Sequence, residues 1–199
     1  MKKTLLAAAV SSVFIIAGCT KEPANTQNTD ETMKADLQQQ AEPNLLLTAS
    51  PLTYQAPQFD KISDDQFLPA FEQGMKAHAA EIDAIANNAA APTFENTLVA
   101  LEKSGALLTR VSRVFYNLSG SDSNPKRREL QQQLAPKLAA HSDNINLNEA
   151  LFKRVETLSL DAESLRLLET TYDDFVYAGA RLNEEQKQKV RKINETMSS

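Results

Sequence analysis

The chain has 199 residues, with 26 acidic against 21 basic side chains and a net charge of −5. That acidic balance, with its basic residues scattered, argues against a nucleic-acid binder, which needs a concentrated basic face. Five glycines, no tryptophan and one cysteine, Cys19, favour helix over sheet and exclude an intramolecular disulfide.

The first stretch, MKKTLLAAAVSSVFIIAGC, has Lys2 and Lys3, an apolar run from Leu5 to Ala17 and then small residues. This pattern predicts a signal peptide over residues 1–18. The run falls short of the about 20 apolar residues that a membrane-spanning helix takes. Its end, Ile16-Ala17-Gly18-Cys19, resembles the lipobox of bacterial lipoproteins. That resemblance implies cleavage before Cys19 and acylation of Cys19. An ordinary signal peptide that happens to contain a cysteine is the alternative. Several acyl chains would anchor the protein to a membrane, at about 0.8 kcal/mol per buried CH₂. Thr20, rather than Asp, follows the cysteine. The resemblance therefore implies the outer membrane, with the body facing the periplasm.

Residues 19–57 read as a tether. TKEPANTQNTDETMKADLQQQAEPN is polar, poor in aromatics and interrupted by Pro23 and Pro43, so it buries too little apolar surface to offset its ordering entropy. Leu45-Leu46-Leu47 either docks on the body or stays a sticky patch in a loop. Pro51 and Pro57 punctuate the approach to a folded part over residues 58–199.

That part reads as six helices, an all-α domain with no convincing strand. Ser63 to Gln66 has capping-box spacing, and Phe67, Phe71, Met75, His78, Ile82 and Ile85 follow on one helical face. Pro69 lies in the opening turns, where it does least harm. Thr93 then caps a single long helix to about Gly120, with the stripe Phe94, Leu98, Leu101, Gly105, Leu108, Val111, Phe115, Leu118. Gly105 on that stripe lets another helix come close. Asn124-Pro125 is a cap and first-turn proline before Leu130, Leu134 and Leu138, and Pro136 predicts a kink. Asn148 caps a short helix, Asp161 opens another that runs toward Gly179, and Asn183 to Gln186 begins the last. There Val190, Ile193 and Met197 share one face, and the helix looks unfinished at Ser199.

Candidate chemistry is sparse. His78, on an apolar face, reads as a packed, hydrogen-bonded histidine. His141 lies near a helix end, where an imidazolium suits the dipole. No pair of histidines has the four-residue spacing of a zinc-binding helix. No serine sits in a Gly-x-Ser-x-Gly elbow, and no glycine-rich phosphate loop occurs. Arg110 and Arg113 are three apart on one helix side. They suit a carboxylate or an acidic partner, although such a pair is more often a solvated face or holds a neighbouring Glu. Lys126-Arg127-Arg128 reads as a solvated basic turn, and Asp173-Asp174 lacks the further oxygens of a metal site. No catalytic or metal-binding residue is assigned.

From Phe59 onward four stretches carry a family resemblance: FDKISDDQFLPAFEQGM, IDAIANNAAAPTFENTLVALEKSGALLTRVSRVFYNLSG, LAPKLAAHSDNINLNEALFKRV and RLLETTYDDFVYAGARLNEEQK. Together they resemble the N-terminal region of zinc oligopeptidases of the thimet oligopeptidase family, nearest its bacterial peptidyl-dipeptidase branch. The resemblance implies a helical lobe of a two-lobed peptidase that closes on a channel for short peptides, with release of C-terminal dipeptides. It implies zinc held by a His-Glu-x-x-His helix and a distant Glu. No such motif occurs in these 199 residues, so no catalytic or zinc-binding residue is carried over and none is expected to bind zinc here. The expectation is a chain that stops before the zinc-binding part. The competing reading is a non-enzymatic envelope lipoprotein that binds peptides or a protein partner.

Overall fold

The computed structural model describes residues 43–158 and 162–198. The expected signal peptide, Cys19 and the tether up to residue 42 lie outside the described residues, as does Asp161. Among the described residues the secondary structure is helical, without strands. None of the described helices is long and apolar enough to cross a membrane.

The body begins at Pro43, so the boundary expected at 57/58 is corrected toward the N-terminus. Asn44 accepts a hydrogen bond from Leu46 N–H (3.1 Å) and donates to the Gln66 carbonyl (2.8 Å). Leu46 is 3% exposed and belongs to the core. Of the two readings of the Leu45–Leu47 run, docking is the one realised. A short apolar plug suffices here, because burying one Leu side chain contributes about 1.5–3 kcal/mol.

A 3₁₀ turn at Asp64–Gln66 leads into α1 (Phe67–Ala86). Gln66 reaches back to accept from Ser63 N–H (3.3 Å), the reciprocal half of a capping box. Thr93 and Asn96 cap the next element from both sides: Asn96 N–H donates to Thr93 Oγ1 (3.1 Å), and Thr93 N–H to Asn96 Oδ1 (2.8 Å). The single long helix expected from Thr93 to Gly120 is not formed. A π-helical stretch, Phe94–Val99, passes into the one-turn α2 (Ala100–Lys103), which ends at an extended Ser104. Gly105 then turns left-handed (φ 69°) and α3 (Ala106–Ser121) begins. Glycine takes that conformation without steric cost. The apolar period crosses the break unchanged, so periodicity alone does not reveal it.

α4 (Pro125–Asn146) runs as one helix through Pro136. Asn124 caps it by accepting from Arg127 N–H (2.8 Å). Asn148 likewise accepts from Leu151 N–H (3.0 Å) to open α5 (Glu149–Glu156). α6 (Ala162–Ala178) and α7 (Glu184–Ser198) complete the body. α7 starts on a reciprocal Asn183–Gln186 cap (2.9 and 3.1 Å).

The core forms two apolar clusters. In the first, Leu46, Phe67, Phe71, Val111, Phe115 and Leu134 are buried. Phe115 pairs edge-to-face with Phe67 and Phe71, with ring centroids 5.0 and 5.4 Å away, within the favoured range for such pairs. The close helix approach occurs at Gly74 of α1. A methyl group there would lie 3.0 Å from the Cα of Leu108 on α3. The second cluster gathers Ile82, Ile85, Leu151, Phe152, Val155 and Phe175.

Candidate functional site

Between the two clusters lies a polar group built by three elements. His78 (α1) and His141 (α4) approach edgewise, with His141 Nε2 3.1 Å from His78 Nδ1. His78 Nε2 is 3.1 Å from Ser104 Oγ, and Ser104 Oγ donates to the Leu101 carbonyl at 2.7 Å. A carbonyl only accepts, so the serine proton is committed to it. The consistent assignment is then His141 Nε2–H to His78 Nδ1, and His78 Nε2–H to Ser104 Oγ. Burial pushes both imidazoles below their ordinary value. Glu81 partly offsets this for His78, and the charge of His78 adds to it for His141. The dipole argument for a charged His141 is thereby overruled by desolvation and a neighbouring ring. Glu81 Oε2 also accepts from Gly105 N–H at 2.6 Å. A methyl group on Gly105 would come within 2.9 Å of the His78 ring.

This arrangement joins helices and does not carry out nucleophilic catalysis. Ser104 donates away from His78, so the imidazole is not placed to take its proton. Among the described residues no three His, Cys, Asp or Glu side chains converge as a metal site. Three of the four imidazole nitrogens are spent on each other and on Ser104. The described residues therefore do not fit a catalytic zinc, which takes three protein ligands and an open position.

A second buried cluster centres on Arg154 of α5, 7% exposed. Its Nη1 donates to the carbonyls of Asn88 (2.7 Å) and Ala90 (3.1 Å). Its Nη2 donates to Asn96 Oδ1 (3.0 Å) and Thr97 Oγ1 (3.4 Å), while Nε has no hydrogen-bond partner. Asn96 also donates to the Ala91 carbonyl (2.9 Å) and accepts from the Thr97 hydroxyl (2.8 Å). The Phe-Glu-Asn-Thr run of the resemblance is thus a lock. Asn96 and Thr97 bind the turn after α1 to α5 through one guanidinium.

The two arginines singled out in the sequence have different surroundings. Arg110 donates to the carbonyls of Leu46 (3.4 Å) and Leu47 (3.0 Å), holding the N-terminal plug. Arg113 is exposed. Arg127, expected to be solvated, is half of a mostly buried ion pair with Asp64 (2.7 Å). Burial alone would raise the Asp64 carboxyl. Hydrogen bonds from Asn124 and Arg127 hold it below its usual value. Asp173 and Asp174 are exposed. Sequence reasoning missed Arg154, Asn96 and Lys187. Lys187, its side chain 1% exposed, bridges Glu149 (2.9 Å) and Glu184 (3.2 Å). The only sequence signal was the Thr93–Asn96 spacing of a helix cap.

No protein-family profile matches the chain. The chain is 46% identical over 158 residues to the dipeptidyl carboxypeptidase of Salmonella typhimurium, covering 76% of this chain and 23% of that protein. It is 43% identical to the dipeptidyl carboxypeptidase of Escherichia coli with the same coverage. With oligopeptidase A of Escherichia coli it shares 22% identity over 152 residues, 73% of this chain and 22% of that protein. The chain thus spans about a quarter of the length of the curated relatives that it matches. Over that shared region it is homologous to the dipeptidyl carboxypeptidase branch of the thimet oligopeptidase family.

Proposed function

We propose that this helical body is a lobe of an oligopeptidase that removes dipeptides from the C-terminus of short peptides, and that it walls the substrate channel. The observation that carries this reading is the 46% identity over 158 residues to a dipeptidyl carboxypeptidase. The lobe contributes shape. Among the described residues its buried polar groups are committed to joining helices, and none is poised for proton transfer or nucleophilic attack. Zinc, in this reading, is held by residues other than those described, and no step is assigned to it here. Cys19 is the point of lipid attachment, and the body faces the periplasm from the outer membrane.

The test is made on the native protein, captured from cells with an antibody to residues 60–199. Its size, its zinc content and its release of dipeptides from N-terminally blocked peptides are measured together. The expected result is about one zinc per protein and C-terminal dipeptide release that a chelator abolishes. Captured protein that holds no zinc and leaves both blocked and free peptides intact would refute the reading.

A further inference from the structure

α7 is oriented inside out. Its inward stripe is polar: Lys187 bridges Glu149 and Glu184, Arg191 donates to Asn144 Oδ1 (3.0 Å), and Asn194 donates to Asp143 Oδ1 (2.7 Å). These bonds bind it to α4 and to the start of α5. Its outward stripe holds Lys189, Lys192, Ile193, Thr196 and Met197, residues that line one open groove. Ile193 is 56% exposed and Met197 81%. An amphipathic helix on a finished surface puts its apolar residues inward. Here specific polar partners fix the opposite orientation for Ile193 and Met197, whereas Val190, the third residue of the expected packing stripe, is half-buried.

We propose that the outward face of α7, centred on Ile193 and Met197, docks the part of a dipeptidyl-carboxypeptidase-like polypeptide that lies outside the region shared with this chain. This inference rests on the proposed function. The occupant is chosen by length: the relatives carry more than three quarters of theirs beyond the match. Lys189, paired with Glu185 (2.6 Å), and the exposed Lys192 edge the apolar contact with positive charge. The occupant is therefore an apolar segment edged by carboxylates.

The full chain is produced together with the remainder of the Salmonella dipeptidyl carboxypeptidase, and co-purification is measured for wild type and for Ile193→Asp/Met197→Asp. Both side chains are exposed, so the isolated variant is expected to melt within a degree or two of wild type. The expected result is a one-to-one complex that the double variant weakens at least tenfold. A chimera, with this chain replacing the matched region of the Salmonella protein, gives a second measurement. There the same two substitutions are expected to lower Tm and dipeptide release together. An active complex that tolerates both substitutions overturns the docking face and leaves the peptidase reading standing. A complex formed through this face but lacking activity supports the docking and counts against the peptidase reading. Three results would overturn the inference: dimerisation of the chain through Ile193 and Met197, binding of anionic vesicles that the double variant abolishes, or a wild-type pair that neither associates nor folds as a chimera.

Discussion

Replacing Arg154 tests whether the Phe-Glu-Asn-Thr run is held by one buried cation. The guanidinium makes hydrogen bonds to Asn88 O, Ala90 O, Asn96 Oδ1 and Thr97 Oγ1, and none of these acceptors is a carboxylate. Hydrogen bonds to a charged group contribute about 1.5–3 kcal/mol each when taken singly, but three effects reduce the sum. Asn88 and Ala90 are exposed, so water can replace the arginine at their carbonyls. Asn96 Oδ1 keeps the Thr93 and Thr97 donors. Removing the cation also removes its own desolvation cost and the unpaired Nε. Arg154→Met, which keeps most of the volume, is therefore expected to cost about 2–3 kcal/mol. At about 2–4 °C per kcal/mol for a body of this size, Tm falls by about 4–12 °C. Arg154→Lys is expected to be no better. An ammonium remains buried on a shorter stem, and it cannot serve the Asn88–Ala90 carbonyls and the Asn96–Thr97 side chains at once. Urea unfolding of both variants followed by circular dichroism decides the matter. A cost below 1 kcal/mol for Met, or Lys more stable than Met by over 1 kcal/mol, would refute the reasoning.

Gly105→Ala is expected to cost about 1–2 kcal/mol for the left-handed backbone alone, and more once the His78 ring has to move, read as a lowered urea midpoint. Arg110→Ala is expected to release the N-terminal plug, so that limited proteolysis cuts between residues 44 and 57 well before the helices are attacked, while Leu46→Ala costs about 2–4 kcal/mol of global stability. His78 and His141 are the only histidines, and both titrate below their ordinary value in the folded body. The unfolded chain therefore binds more protons just below pH 6.5, and stability is full above that pH and falls as the pH drops through the folded values; melts at pH 7.5 and 5.5 should show a smaller loss for His141→Asn than for wild type. Cys19→Ser is expected to abolish incorporation of labelled fatty acid and to move the protein from the membrane fraction to the soluble fraction.

Local chemistry was legible in the sequence, and chemistry between distant residues was not. The caps at Thr93, Asn124, Asn148 and Asn183 each act within three residues, and each forms as the spacing implies. The break at Ser104-Gly105 was hidden because Leu101, Gly105 and Leu108 keep helical spacing through it. Its cause is a backbone angle and the His78 and Glu81 side chains on another helix. Arg154 follows Lys153 on a short helix, yet its acceptors lie about 60 residues earlier. The family resemblance did not mark Arg154 as special. Ile193 and Met197 follow the period of a packing stripe. Three directional bonds to Glu149, Asn144 and Asp143 decide which side of α7 faces in, and a period contains no information about partners.

The two apolar clusters and the polar group between them divide the architectural work. α1 places Phe67, Ala70 and Phe71 in the first cluster and Ile82, Ile85 and Ala86 in the second, with His78 between. α4 places Leu130 and Leu134 in the first and Ile145 against the second, with His141 between. Apolar contacts supply most of the stability but discriminate weakly between registers, because a helix slid by one turn, about 5.4 Å, still meets apolar neighbours. Hydrogen bonds are directional and fail at that displacement. Sliding α4 would separate His141 from His78. Sliding α1 would also strip Ser104 of its imidazole and Gly105 of Glu81. The polar waist thus fixes how α1, α4 and the α2–α3 break align, at the cost of burying groups that a uniform apolar core would omit. It also accounts for Gly105, the one position there that needs a positive φ and has no room for a side chain. The Leu-Glu-Lys-Ser-Gly run singled out by the resemblance is, on this argument, a joint that turns the chain between the two clusters.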